Sequence, residues 1–172
     1  ELNGGFYTAD EFDIEPLLKR VGPDVRFLEL GRSCVLEPYR NKRTVELLWH
    51  GIMHYVAHYN LDVMLGCASF EPTDPASLDM PLSYLYYEHL TPDDWYVRAL
   101  PERHVEMKRL PKEEVELRAA LRAMPPMIKG YIRAGCFIGD GAVVDEQFGT
   151  TDVLILFPVS ALNERYSTKF KK

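Results

Sequence analysis

The stretch that decides the fold runs from Glu29 to Gly51: Glu-Leu-Gly-Arg-Ser-Cys-Val-Leu-Glu-Pro-Tyr-Arg-Asn-Lys-Arg-Thr-Val-Glu-Leu-Leu-Trp-His-Gly. Its first third is apolar enough for a strand, its middle carries Arg40, Lys42 and Arg43, and its last third opens an amphipathic helix. The first-turn amides of a helix have no intrahelical acceptor, and the helix dipole adds its own attraction for anions. Strand, basic loop and helix start therefore make a generic phosphate-binding arrangement. A run of charges is equally at home on a solvated face, and only its place directly before a helix favours anion binding.

Working outward, Val25–Leu36 reads as a strand buried on both faces, interrupted by Glu29 and Arg32. A flat strand would point these two to opposite faces, whereas a bulge at Gly31 would bring them to one. Buried charges must be paired or used. One reading is a structural ion pair; the other is a general base, Glu29, beside a cation, Arg32, that orients a substrate carboxylate. As a base, Glu29 should be replaceable by Gln with little loss of folding. Thr44 is the expected N-cap of a helix reaching Tyr59, with Val45, Leu48, Trp49, Ile52, Val56 and Tyr59 as its apolar stripe. His50, His54 and His58 line up on the other side, but no H-E-x-x-H frame or nearby Cys accompanies them, and no metal site is expected.

The rest reads as alternating elements. A short helix over Asp13–Arg20 stops at Gly22-Pro23, and Leu61–Phe70 is a second apolar strand. Gly66 within it predicts a bulge or a close approach by another backbone or ligand. Ala76–Leu90 is a helix with packing tyrosines Tyr84, Tyr86 and Tyr87, followed by a short extended piece over Trp95–Pro101. Helices follow at Lys112–Ala123 and Met127–Ala134, split by Pro125-Pro126. Strands at Phe137–Val144 and Asp152–Pro158 and a last helix over Ser160–Phe170 complete a mixed α/β order. Gly139-Asp140-Gly141 reads as a tight turn. Asp145, Gln147, Thr150, Thr151 and Asp152 read as turn chemistry or as a polar wall for an amine substrate.

Bulk properties narrow the function. The 172 residues carry a net charge of −6, which argues against general nucleic-acid binding. At 47% hydrophobic the chain can build one ordinary core. No apolar run approaches the ~18 residues of a membrane span, and no secretory leader is visible. The chain opens on Glu rather than Met, so the natural N-terminus is expected to lie further upstream. Cys34, Cys67 and Cys136 lack metal-type spacing and fit a reducing, cytoplasmic setting; Cys34 and Cys67, on consecutive strands, are expected to be buried and inert. Walker A, G-x-G-x-x-G and G-x-S-x-G motifs are all missing from the sequence.

Glu29-Leu30-Gly31-Arg32-Ser33-Cys34-Val35, Pro38-Tyr39-Arg40, Lys42-Arg43-Thr44 and Leu47-Leu48-Trp49 together closely resemble the ornithine N-acyltransferases of the GNAT-like superfamily. Gly4-Gly5-Phe6-Tyr7 with Glu11-Phe12-Asp13, Gly66-Cys67-Ala68-Ser69-Phe70, Pro125-Pro126, Lys129-Gly130-Tyr131, Gly139-Asp140-Gly141-Ala142 and Phe148-Gly149-Thr150-Thr151-Asp152-Val153 extend the resemblance over nearly the whole chain. It implies a single GNAT-like domain over residues 1–172, with a mixed central sheet, flanking helices and its first strands missing. The implied reaction moves a 3-hydroxyacyl group from acyl carrier protein to the α-amino group of L-ornithine, giving lyso-ornithine lipid. No covalently bound cofactor is implied; the donor is the acyl-phosphopantetheine of the carrier protein, with acyl-coenzyme A as the other candidate. The Glu-x-x-Arg pattern is similar to that of acyl-homoserine lactone synthases. The implied catalytic residues are Glu29 and Arg32. The pantetheine arm would pair with backbone near Ser33, Cys34 and Val35, and Arg40, Lys42, Arg43 and Thr44 would hold its phosphate or the carrier.

One departure bears on the donor. Arg43 and Val45 stand where the superfamily's pyrophosphate loop has small residues, which suits a single phosphate or an acidic carrier better than a diphosphate. An amphiphilic product makes peripheral contact with the inner membrane an expectation. Other readings are a different amino acid acceptor, or a GNAT-like module that binds acyl carrier or lipid without transfer.

Overall fold

The computed structural model describes residues 5–162. Its described residues form a mixed sheet of seven strands with helices on both sides. The strands are β1 (Phe12–Asp13), β2 (Phe27–Glu29), β3 (Val63–Phe70), β4 (Arg98–Ala99), β5 (His104–Val105), β6 (Phe137–Asp145) and β7 (Thr150–Pro158). The order is β1-β4-β6-β7-β3-β2, with β5 also on β6. β6, β7 and β3 run antiparallel in sequence, while β2 joins β3 in parallel. The β6–β7 hairpin closes where Asp145 Oδ1 accepts the N–H groups of Gln147 and Phe148, with Gly149 at φ 69°.

Helix α1 (Glu15–Val21) starts with Pro16 in its first turn and stops at Gly22, as the sequence predicts. The long helix α2 (Lys42–Tyr59) is capped by Asn41, whose Oδ1 accepts from Thr44 N–H at 3.0 Å. Thr44 is therefore the third helical residue rather than the cap: an Asn side chain reaches the open amides better than Thr44 can from inside the turn. α2 ends at Asn60, which takes the left-handed conformation that suits Asn (φ 50°). Helices α3 (Asp79–His89), α4 (Leu117–Ala123) and α5 (Pro126–Ala134) follow, α4 and α5 being separated at Pro125 as expected. The final helix expected over Ser160–Phe170 lies almost entirely outside the described residues; Val159–Ala161 forms a single 3-10 turn.

Two cores flank the sheet. On one face, Met64, Phe70, Leu82, Leu85, Ile128, Ile155 and Phe157 pack among α3, α5 and part of α2. On the other, Phe12, Ile14, Leu17, Val63, Leu65, Leu154 and Leu156 are buried beneath β1 and α1. Each such side chain contributes roughly 1.5–3 kcal/mol by leaving water. Tyr84 and Tyr86 pack against the first core, and Tyr87 donates to Leu110 O at 3.0 Å, so these tyrosines are packing.

Two expectations are corrected. The strand expected over Val25–Leu36 is only the three-residue β2, half-buried at the sheet's edge; residues 31–36 run free of the ladder. With no strand beneath it, the first half of α2 stands clear of the sheet. Val45, Leu48 and Tyr59 of its stripe are exposed, while Trp49 makes edge contacts with Tyr131 and Phe157. Second, Gly139-Asp140-Gly141 is an irregularity inside β6, not a turn. Its pairing with β7 shifts between Ile138 and Ala142, which frees Asp140 to accept from Tyr96 Oη at 2.5 Å. A Cβ on Gly141 would sit 2.4 Å from the His104 ring, so the strand closes only with glycine there.

Candidate active site

The functional geometry starts where β2 leaves β3. Their ladder covers Phe27–Glu29 against Val63–Leu65, one more bond joins Leu30 N–H to Leu65 O at 2.8 Å, and β3 then continues alone on that side to Phe70. Gly66 marks the parting. A Cβ there would lie 2.2 Å from Leu30 O, so the expected close approach is made by the backbone of Leu30. Beside it a small cavity is lined by Leu30, Met64, Gly66, Cys67, Tyr131 and Phe157.

Glu29 is next to the parting but is not paired with Arg32. One carboxylate oxygen accepts from Tyr7 N–H at 2.9 Å, the other from Thr8 N–H at 2.7 Å and Thr8 Oγ1 at 2.6 Å. Glu29 thus anchors the 3-10 turn Tyr7–Asp10 over the sheet, and its removal would loosen that turn. The expectation of replacement without cost to folding does not fit these bonds. No bulge sets the direction of Arg32; β2 has already ended, and Arg32 is exposed in the left-handed region at φ 52°.

Beyond it, Ser33 and Cys34 are exposed and Val35 half-buried, outside any strand. Arg40 folds back, its Nε donating to Val35 O at 2.9 Å. Lys42 lies 3.9 Å from Glu46 as a solvent-exposed pair, worth little. Arg43 is exposed. Thr44 N–H is already taken by Asn41, which leaves the Lys42 and Arg43 amides as the open donors at the start of α2. The structure thus brings the basic residues together at one exposed helix start. Glu29 lies apart from them, under the 3-10 turn.

A second group of side chains is assembled only by the fold. Asp145 of β6, Asp152 of β7 and Glu11 just before β1 bring carboxylate oxygens within 4.8 Å of one another. Cys67 Sγ donates to Glu11 Oε2 at 3.2 Å, and Arg103 lies 3.5 Å from Glu11 Oε1. Burial raises the Glu11 pKa, and the Asp152 charge adds to it against the lowering by Cys67 and Arg103. The Cys67 thiol is likewise pushed well up, by desolvation first and then by Glu11, so it is not a thiolate nucleophile. Cys34 is exposed, contrary to expectation, whereas Cys67 is exposed as a residue at the open edge of β3 but keeps its thiol enclosed against Glu11, and Cys136 is buried. The polar wall considered at Asp145–Asp152 marked half of this group. Glu11, more than 130 positions away, stood out only within Glu11-Phe12-Asp13 of the family resemblance, with nothing to link it to Asp152. No His group with metal-binding geometry occurs among the described residues.

The Acetyltransferase (GNAT) domain family model matches residues 1–50, the segment that contains Glu29 and the basic loop. A Brucella abortus protein named L-ornithine N(alpha)-acyltransferase is 52% identical over 162 residues, 94% of this chain and 57% of its own length. Proteins of the same name from Agrobacterium fabrum and Rhizobium meliloti are 52% and 49% identical over 95% and 96% of this chain. This chain is a sequence relative of the L-ornithine N(alpha)-acyltransferases. It spans a little over half the length of those relatives, 56–57%. The mixed α/β architecture, with helices on both faces of a mixed sheet, agrees with a GNAT-like fold. No solved structure matches the chain. No helix among the described residues is long and apolar enough to cross a membrane.

Proposed function

We propose that this chain is a GNAT-like domain that N-acylates the α-amino group of L-ornithine, taking a 3-hydroxyacyl group from the phosphopantetheine of acyl carrier protein and giving lyso-ornithine lipid. The observation that carries this reading is the parting of β2 from β3 at Leu30 and Gly66, beside an apolar cavity and within a sequence half identical to ornithine acyltransferases. An extended pantetheine arm needs unpaired backbone to lie against, and residues 31–34, outside the ladder, would offer it.

In the reaction, the unprotonated α-amine attacks the thioester carbonyl; an amide forms as the C–S bond breaks, the amine proton passes to a base, and the pantetheine sulfur leaves as a thiolate that takes up a proton to give the free thiol. Backbone N–H groups at the parting would stabilise the oxyanion, at about 3–4 kcal/mol per donor in known enzymes. Glu29 is the candidate base. Because Thr8 Oγ1 donates to it at 2.6 Å, a proton can reach it through that hydroxyl as well as by displacing it. Arg32, exposed just beyond β2, would hold the ornithine carboxylate.

The exposed Arg40, Lys42 and Arg43 at the start of α2 support an acidic carrier or a single phosphate as what docks there, in preference to a diphosphate. Exposed Leu36, Tyr39, Leu47 and Leu48 surround these charges, a combination that suits peripheral contact with an anionic membrane surface. The test is to incubate the protein with 3-hydroxyacyl carrier protein or the matching acyl-coenzyme A and a panel of amino acids, and to identify products by mass spectrometry. N-acyl-ornithine from the carrier-bound donor is the expected product. Carrier binding without any product would make the chain a binding module, and a product from another amino acid would move the acceptor.

A further inference from the structure

Buried Glu11 and Asp152 and half-buried Asp145 form an acidic group, and one member of it is incomplete. Asp152 is 7% exposed, and its Oδ1 has no hydrogen-bond partner among the described residues. That oxygen is not idle surface polarity: a buried carboxylate oxygen without a donor is costly and calls for an explanation. The sheet register explains how the group arises. Asp152 pairs with Ser69 of β3 and Val143 of β6, so by the two-residue period Cys67, Asp145 and Asp152 share the face that carries Leu154 and the second core. Glu11 is laid over that face by β1, with Leu100 N–H holding its carbonyl at 2.9 Å.

Three carboxylates here face one guanidinium. Arg103 gives its donors to Asp10 O, Val144 O and Glu11 Oε1, and leaves Asp152 Oδ1 unserved. The group borders the open edge of β3. The Cys67 thiol touches Glu11 on the second core's face, while the cavity beside Gly66, lined by Met64, Tyr131 and Phe157, lies on the first core's face at the same edge.

We infer that the Glu11–Asp145–Asp152 group binds the side-chain ammonium of the amine substrate and so selects a diamino acid over its uncharged counterpart. The inference rests on L-ornithine being the acceptor. An ammonium offers three donors from a point charge, which suits acceptors converging from three elements. With the ammonium held there, the three-methylene stem would run past Cys67 along the open edge of β3, toward the parting from β2. Asp152 Oδ1 gains its missing donor only in the complex.

The test compares L-ornithine with norvaline, which has the same stem and no side-chain amine, on the wild-type protein and on Asp152→Asn. Thermal shift and calorimetry read binding, and steady-state assays read kcat and KM. Asp152→Asn should raise Kd and KM for ornithine about tenfold or more, leave norvaline and the acyl donor unchanged, and fold at least as stably without substrate. An unchanged ornithine-to-norvaline ratio overturns the inference while leaving ornithine acylation intact. If Asp152→Asn does not fold, Asp145→Asn, half-exposed and able to keep its turn bonds to Gln147 and Phe148, carries the same comparison. A wild-type protein that acylates neither amine refutes the acceptor reading, and the binding measurements then judge the acidic group alone. Stabilisation by Mg²⁺ or Ca²⁺ that disappears in Asp152→Asn, with no ornithine effect, would make it a cation site and overturn the inference.

Discussion

The two sides of β3 differ sharply. Toward β7 it is paired along all eight residues, Val63–Phe70, between two buried cores. Toward β2 it is paired over only three, and beyond Gly66 its edge is open, with the exposed basic start of α2 nearby in the sequence. One side is scaffold; the other leaves its backbone unpaired by a neighbouring strand. The charges follow the same division. Positive groups gather in solvent at Arg40, Lys42 and Arg43, whereas negative ones converge at half-buried Asp145 and at buried Glu11 and Asp152, where burial makes each cost more and act more strongly.

The strongest way to break this contrast is to close the open side. Gly66→Val places a Cβ 2.2 Å from the Leu30 carbonyl, and backbone cannot retreat as a flexible side chain can. Acyl transfer should fall at least a hundredfold, with a loss of about 1–3 kcal/mol in stability by denaturant unfolding. Retained turnover would show that the parting of the strands is not where the thioester lies. Next comes Glu29→Gln, for which a base lost at full folding should lower kcat by about 10²–10⁴. If Glu29 only anchors Tyr7 and Thr8, activity should instead track the folded fraction and return on cooling.

How far the sequence disclosed this can be judged from particular residues. The strand–loop–helix, Gly66 and the β6–β7 pair were legible because each is local: periodicity, a cap-rich break, a glycine in an apolar run. The length of β2 was not, because an apolar run is the same whether or not the chain keeps pairing with its neighbour. Nor was the cap: Asn41 and Thr44 are both good N-cap residues, and only geometry chooses between them. The acidic group was half legible at Asp145–Asp152. Glu11 joins it across β1, and Glu29 turns to Tyr7 and Thr8 in preference to Arg32; such contacts, 21 or more residues apart, leave no pattern in the sequence.

Smaller effects sharpen the charge contrast. Reversing Arg40, Lys42 and Arg43 to Glu should raise KM for acyl carrier protein about tenfold at low salt, with the difference fading as ionic strength rises. Equal binding at low salt would remove the docking role. The smallest effect concerns Glu11. Burial holds its folded pKa above the ordinary carboxylate range, so the fold favours the protonated form, and that contribution is complete below the ordinary value and lost as pH rises through the folded pKa. Glu11→Gln should therefore melt higher than the wild type at neutral pH, with the gain shrinking as the pH falls into the ordinary carboxylate range, read by melting curves across pH.

The most direct test is a competition: one incubation of the protein with 3-hydroxyacyl carrier protein and equal amounts of L-ornithine and norvaline, with both products measured by mass spectrometry. The account predicts Nα-acyl-ornithine in large excess. Comparable amounts of the two products, or neither, would contradict it.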